Sequence, residues 1–189
     1  AGVVFAYKQF LSRRRQNQSE SDLISVVQFA GSSRVTVQQK SISVAPKDLN
    51  YASGATRFYP AARHACQLAR ATPPSHVPVI VFMSDGEAND ASAAAAKFST
   101  LNRWIRHRLE SDMELHVIAF GSGVDNAQLT QIAGASPNGK VHSSADTAEL
   151  SNVFVEIASG QDVAGLLEAE IGKRISEAVT EKLSLEYLA

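Results

Sequence analysis

Three carboxylates stand close together just after a short apolar run. The run, Val79 to Met83, is rich in β-branched residues, and Asp85, Glu87 and Asp90 follow it. A second segment, Gly54-Ala-Thr-Arg-Phe58, supplies a hydroxyl from elsewhere in the chain. Carboxylate, hydroxyl and water oxygens are the ligands that hard cations such as Mg²⁺ prefer. Because ligands bind beyond the carboxyl ends of parallel strands, Asp85 lies where chemistry is expected.

The same residues also have a purely structural explanation. Asp85 could stabilise a turn, and Asp90 or Ser92 could cap the helix that follows, as short polar side chains do. Spacing alone leaves metal binding and capping open. A Mg²⁺-dependent phosphoryl-transfer or hydrolytic enzyme would use Asp85, Glu87 and Asp90. The sequence, however, offers that enzyme no identifiable nucleophile, general base or phosphate loop.

Other residues of reactive type stand alone in the sequence. Cys66 lies in a helical pattern, and we interpret it as a small buried hydrophobe rather than a nucleophile. The five histidines are scattered, with no pair at metal-ligand spacing. The segment Gly121-Ser-Gly123 begins like a dinucleotide fingerprint, but Asn126 occupies the position of the third glycine. None of these residues adds a second candidate site.

The charge balance argues against a polyanionic partner. The chain has 18 basic and 19 acidic residues and a net charge of −1, so we predict no nucleic-acid partner. No apolar run approaches the roughly 18 residues of a membrane span, and we predict no membrane insertion. A single cysteine and the absence of a signal-peptide pattern favour an intracellular protein, although the sequence leaves the compartment unknown.

Helical and strand patterns alternate along the chain. Apolar residues at helical spacing predict a first helix from Val3 to Gln16, and a hairpin follows with strands at 23–29 and 34–38. This order predicts a doubly wound α/β fold with a mostly parallel, Rossmann-like sheet, one antiparallel edge strand and helices on both faces. The remaining strands are predicted at 78–83, 115–120 and 140–142, and the remaining helices at 59–70, 91–109, 126–133 and 147–157.

The last part of the chain has a different pattern. Apolar residues from Val163 to Leu183 recur in steps that favour four residues, with charges between them, which predicts a C-terminal helix of more than about 20 residues. We predict two units, a domain at 1–158 and a helical extension at 159–189. The extension is expected to pack onto another domain of a larger parent protein rather than to form a coiled coil.

The order and spacing of several segments resemble a von Willebrand factor type A (vWA) domain over residues 1–158. Single segments of this kind are common, but their combination is specific. The resemblance implies the Rossmann-like fold described above and a non-enzymatic module for protein–protein interaction. The matching segments are the hairpin after Leu23, Gly54 to Phe58, Val79 to Gly86, and Leu115 to Gly123 followed by 128–133; 141–154 also resembles the family.

The resemblance also implies a metal-ion-dependent adhesion site (MIDAS). In the family, this site uses an Asp-x-Ser-x-Ser motif after the first strand, a threonine in a second loop and an aspartate after the fourth strand. The threonine role falls on Thr56 and the aspartate role on Asp85. The implied cofactor is Mg²⁺ or Mn²⁺, and an Asp or Glu of the protein partner completes the ligand shell. The candidate partner contacts beside the site are Ser84, Gly86, Arg57 and Glu87.

The sequence departs from the family at its amino end. No Asp-x-Ser-x-Ser motif occurs in the 189 residues, and no strand precedes the first helix. Because that strand is central in the family, its omission would leave two inner strand edges unpaired. We therefore expect the native protein to carry the strand ahead of Ala1, or another segment to fill the gap. We expect this chain to bind metal poorly or not at all. A metal-free structural spacer is the remaining alternative.

Overall fold

Helices and strands alternate along the chain, as the sequence predicts. The computed structural model describes residues 2–17, 21–49, 54–121 and 126–159. The elements in chain order are α1 (Gly2–Gln16), β1 (Leu23–Phe29), β2 (Ser33–Ser41), α2 (Tyr59–Arg70), β3 (Val79–Ser84), α3 (Ala91–Leu109), β4 (Glu114–Phe120), α4 (Asn126–Ala133), β5 (Gly139–Ser144) and α5 (Thr147–Ser159).

Two strands are longer than predicted. The second hairpin strand covers Ser33–Ser41 rather than 34–38, and the last strand covers Gly139–Ser144 rather than 140–142. Backbone pairing with a neighbouring strand continues past the apolar residues on which the predictions rested. The predicted C-terminal helical extension lies outside the described residues except for Ser159, and the domain boundary at 158 stays a prediction.

Strands β3, β4 and β5 form the parallel part of the sheet. β4 lies in the middle, and its residues from Leu115 to Ala119 are all buried. A continuous apolar run is typical of a strand that is covered on both faces. The hairpin partner β2 is antiparallel to β1 and alternates exposed with covered residues, which confirms the predicted antiparallel edge strand.

Helices cover both faces of the sheet, as predicted. Ile118 of β4 belongs to an apolar cluster with Ala6 of α1 and Leu150 of α5. Its neighbour Val117 points to the opposite face and belongs to a larger cluster with residues of α2, α3 and α4, including Leu129. The period-2 alternation of strand side chains therefore separates α1 and α5 from α2, α3 and α4.

Strands β1 and β3 lie in the same layer, between the same two sets of helices. On one face, the ring of Phe29 in β1 stacks on the ring of Phe82 in β3, with centroids 5.3 Å apart. On the other face, Phe10 of α1 packs against two apolar clusters. Val26 of β1 packs against one of them, and Val81 of β3 packs against the other. The two strands are therefore neighbours in the layer.

The contacts at their ends show that β1 and β3 run in the same direction. Before the strands begin, Nε2 of His76 lies 3.0 Å from the carbonyl oxygen of Ser21 and donates a hydrogen bond to it. Near the opposite ends, Phe29 and Phe82 make their ring contact. The amino ends of β1 and β3 thus lie together, and so do their carboxyl ends.

No hydrogen-bonded ladder joins β1 to β3 among the described residues. β1 pairs with β2, and β3 pairs with β4, so the single sheet predicted from the sequence is divided into a two-stranded and a three-stranded part. Most residues of β1 and β3 are only half-buried, whereas β4 is buried. An unpaired edge on each strand accounts for this difference. The expectation that a further strand fills the gap stays a prediction.

Hydrogen exchange can test the divided layer. Alternate amides of β3 point towards β4 and towards the unpaired edge. We expect the amides on the unpaired edge to exchange at least about tenfold faster than those bonded to β4, because solvent reaches them without unfolding. Native-state exchange followed by NMR would measure this, with the β4 amides as the internal reference. Uniform protection along β3 would contradict the division.

Candidate functional site

The turn after β3 presents Asp85 at the carboxyl edge of the sheet. Ser84, the last residue of the strand, is only 5% exposed. Its hydroxyl donates to the carbonyl of Gly86 and accepts from the amide of the same residue, both at 3.2 Å. These bonds hold a tight turn in which the Asp85 side chain is exposed. Ser84 therefore supports the turn from inside, and its role as a partner contact stays a prediction.

The loop that carries Thr56 lies directly against this turn. The amide of Arg57 donates to the carbonyl of Ala30 at 2.9 Å, which fixes the loop to the end of β1. A Cβ atom on Gly86 would lie 3.0 Å from Oγ1 of Thr56, so the loops approach this closely because residue 86 has no side chain. The structure thus brings the Thr56 loop beside the turn of Asp85, although the two segments are separate in the sequence.

Asp90 has a different role from either prediction made for it. Its position precedes α3, but its carboxylate makes no bond to the start of that helix. Instead, it accepts hydrogen bonds from the amides of Phe58 at 2.8 Å and Tyr59 at 3.2 Å, at the start of α2. Phe58 occupies the position that caps α2, but its side chain has no hydrogen-bond acceptor. The carboxylate of Asp90, from another loop, therefore serves as the acceptor for these amides.

Ser92 is not a cap either, because its hydroxyl lies 3.3 Å from Oε1 of Gln131 and donates to α4. The same helix reaches the loop through Gln128, whose Oε1 accepts from the buried amide of Ala88 at 2.9 Å. Sequence reasoning missed Gln128, because nothing in a glutamine on a helix signals an amide partner in a distant loop. The loop from Gly86 to Asp90 is therefore held by α2 and by α4.

The free oxygen donors at this edge suit a hard cation in type but are few in number. Among the described residues, the Asp85 carboxylate and the Thr56 hydroxyl make no hydrogen bond or ion pair. Magnesium takes about six oxygen ligands. No group of three or more described His, Cys, Asp or Glu residues could hold a metal ion. Glu87 and Arg57 are exposed and lie next in sequence to the two loop positions, Gly86 and Thr56.

Cys66 is a buried and unreactive thiol, as predicted. The thiol is buried against α3, with Sγ 3.7 Å from the carbonyl oxygen of Lys97. Burial raises the pKa of Cys66 to about 11, so the thiol stays protonated at neutral pH. It is therefore neither a nucleophile nor a ready metal ligand.

Two histidines that are far apart in the sequence meet at the opposite edge of the sheet. Nδ1 of His116 lies 3.0 Å from Nε2 of His142, because β4 and β5 are parallel neighbours. Nε2 of His116 lies 2.8 Å from Oε1 of Glu114, and this hydrogen bond lowers the pKa of the Glu114 carboxyl. The group lies at the amino end of β4, away from Asp85.

The family model of the von Willebrand factor type A domain matches residues 4–156. The chain belongs to the vWA family. A solved structure, von Willebrand factor type A from Catenulispora acidiphila, is similar to this chain with 18% sequence identity and a TM-score of 0.62. The match covers 84% of this chain and 38% of that one. No curated protein matches the sequence.

Family and fold are therefore confirmed for this vWA domain. Members of the family generally act as non-enzymatic modules in protein interactions, and they often bind a divalent metal at the MIDAS site. At 18% identity, the solved structure supports the fold alone, and this chain spans less than half of its length. No described helix is long and apolar enough to cross a membrane. The site roles of Thr56 and Asp85 stay predictions.

Removal of the Asp90 carboxylate should destabilise the vWA domain. Asp90→Ala leaves two amides at the start of α2 without their acceptor, and we expect the free energy of unfolding to fall by roughly 1–2 kcal/mol. Asp85→Ala is the matched control, because Asp85 has no described partner, and its effect should stay within about 0.5 kcal/mol. Urea unfolding of both variants measures the difference. Equal losses would contradict the role of Asp90.

Proposed function

We propose that this vWA domain binds a protein partner at the carboxyl edge of its sheet, through a divalent cation held in part by Thr56 and Asp85. The observation that carries the proposal is the approach of the Thr56 hydroxyl to Gly86, the residue after Asp85. This approach supports the proposal because the Thr56 loop and the turn of Asp85 each carry an oxygen donor. Neither oxygen is used by another described residue.

The small donor set favours an acidic partner. One carboxylate neutralises only part of the charge of Mg²⁺ or Mn²⁺, and the Thr56 hydroxyl is neutral. A cation in this position therefore retains a strong attraction for a further carboxylate, which an Asp or Glu of the partner would supply. The same shortage of donors predicts weak binding of the metal alone, as expected from the sequence.

The side chains around the pair would select among acidic partners. Arg57 is exposed on the Thr56 loop and would attract an incoming carboxylate. Glu87 is exposed on the other loop and would repel additional negative charge. We propose that these two residues set specificity, because exposed charges at the rim of an interface act mainly on partner choice and association rate.

The enzymatic alternative loses support from the structure. It required Asp85, Glu87 and Asp90 to act together, but the Asp90 carboxylate is engaged by the amides of Phe58 and Tyr59. Each oxygen of this carboxylate already accepts a hydrogen bond, which reduces its capacity to hold a catalytic cation. We therefore propose an interaction module rather than a phosphoryl-transfer or hydrolytic enzyme.

Paramagnetic Mn²⁺ can test the proposed site without knowledge of the partner. In a Mn²⁺ titration followed by NMR, we expect the amide signals of Thr56 and Gly86 to broaden first, because broadening falls steeply with distance from the ion. Asp85→Asn should weaken this effect at least about tenfold, because it removes the charged donor of the proposed pair. Asp48→Asn is the matched control, since Asp48 is exposed and, within the described part of the chain, pairs with Lys8.

The titration also distinguishes a specific metal site from a general attraction of Mn²⁺ to negative charge on the protein. Equal weakening by both variants would mean that Mn²⁺ follows the net charge and has no site here. If Thr56 and Gly86 do not broaden in the unaltered chain, the metal part of the proposal is wrong for this chain. A short Asp-containing peptide added with Mn²⁺ should strengthen the broadening at Gly86, and failure to do so would contradict the acidic partner.

A further inference from the structure

A strongly basic surface lies on α2 and α3, the two helices that begin at the edge carrying Asp85. The 12 residues of α2 and the 19 residues of α3 contain no Asp or Glu. They nevertheless hold six of the 18 basic residues in a chain whose net charge is −1. We call this surface the basic face. Its cations are Arg63, Arg70, Lys97, Arg103, Arg106 and Arg108.

Contacts between the two helices bring cations of both together around one side chain. They pack side by side, with Sγ of Cys66 3.7 Å from the carbonyl oxygen of Lys97. Near the carboxyl ends of both helices, the guanidinium carbon of Arg70 lies 5.7 Å from the ring centroid of Trp104. The guanidinium carbon of Arg108 lies 5.3 Å from the same centroid. A half-buried indole therefore lies between cations of two helices.

Most of this charge is uncompensated. Among the described residues, the face makes one ion pair, between Arg106 and Asp112, and its atoms are 3.9 Å apart. Arg103 and Arg108 donate instead to neutral oxygens, of Thr100 and of the Pro73 backbone. Like charges gathered on one surface repel each other and lower stability unless an anion binds.

The helix dipole explains only part of the pattern. Arg70, Arg106 and Arg108 lie in last helical turns, where cations are favourable. Arg63 and Arg103 lie before those turns and are exposed, so the dipole gives no reason for them. It also gives no reason for the complete lack of acidic residues, since glutamates four residues from a cation would stabilise an exposed helix.

Carboxylates limit the basic face at both ends. Glu87 and Asp90 precede α3, and Glu110 and Asp112 follow it. A long polyanion that continued past the face would meet these negative charges. The 19 residues of α3 correspond to about 28 Å, the length of a short helix or of an extended segment of about eight residues. A short acidic segment fits between the limits.

We propose that the basic face binds a short acidic segment of a protein partner, with carboxylates paired to its arginines around Trp104. Five of the six cations are arginines, whose planar guanidinium binds a carboxylate through two hydrogen bonds and stacks on an indole. This surface uses neither Thr56 nor Asp85. Its binding is therefore independent of the proposed cation site.

The only tryptophan of the chain reports on this surface, because Trp104 lies within it. We expect poly-L-glutamate of about eight residues to change the Trp104 fluorescence in a saturable way at low ionic strength. The double variant Arg63→Glu/Arg103→Glu should weaken this binding at least about tenfold, because it reverses two exposed charges of the face. Chelation of divalent metal and Asp85→Asn should leave it unchanged.

A matched variant separates a specific surface from net charge. Arg13→Glu/Lys47→Glu reverses two exposed charges, on α1 and after β2, with the same change in net charge, and α1 covers the opposite face of the sheet from α2 and α3. It should keep the affinity within about twofold, since exposed charges far from a site are screened. Circular dichroism and thermal unfolding check that both variants fold.

Three results would overturn the proposal. Equal weakening by the two double variants would show that poly-L-glutamate follows the net charge. No saturable change in Trp104 fluorescence would show that the basic face does not bind an acidic segment. Tighter binding of single-stranded DNA of about eight nucleotides at the same ionic strength would assign the face to phosphates rather than to carboxylates.

Discussion

Aromatic packing, rather than backbone hydrogen bonding, joins the two parts of the β-layer. Phe29 stacks on Phe82, and Phe58 meets both rings edge-on, at 6.2 and 5.2 Å between centroids. Such pairs contribute about 0.5–1.5 kcal/mol each beyond burial of their area. The candidate site depends on these contacts, because Phe58 ends the Thr56 loop and Phe82 lies near the end of the strand that leads to Asp85.

The loops of the site are held in place by polar contacts with helices. Asp90 binds the free amides of α2, and Gln128 of α4 binds the amide of Ala88. One carboxylate of the acidic cluster is thereby structural, while Asp85 remains exposed beside the Thr56 loop. A loop backbone held in this way loses little freedom when a ligand binds, which favours recognition.

The two proposed surfaces differ in chemistry. The carboxyl edge offers few oxygen donors and would recognise a partner's carboxylate through a cation, whereas the basic face on α2 and α3 would bind carboxylates directly. Both surfaces favour acidic groups although the chain as a whole is slightly acidic. Charge is therefore segregated within the domain, and local potentials rather than net charge determine which partners it attracts.

The sequence by itself determined the helices and strands, the family and the position of Asp85, because apolar periodicity and strand ends are local properties. Only the tertiary structure decided that Asp90 binds α2 rather than α3, and that two arginines flank Trp104. These features depend on which distant segments meet and in what register, and a single chain read in order contains no local signal for either.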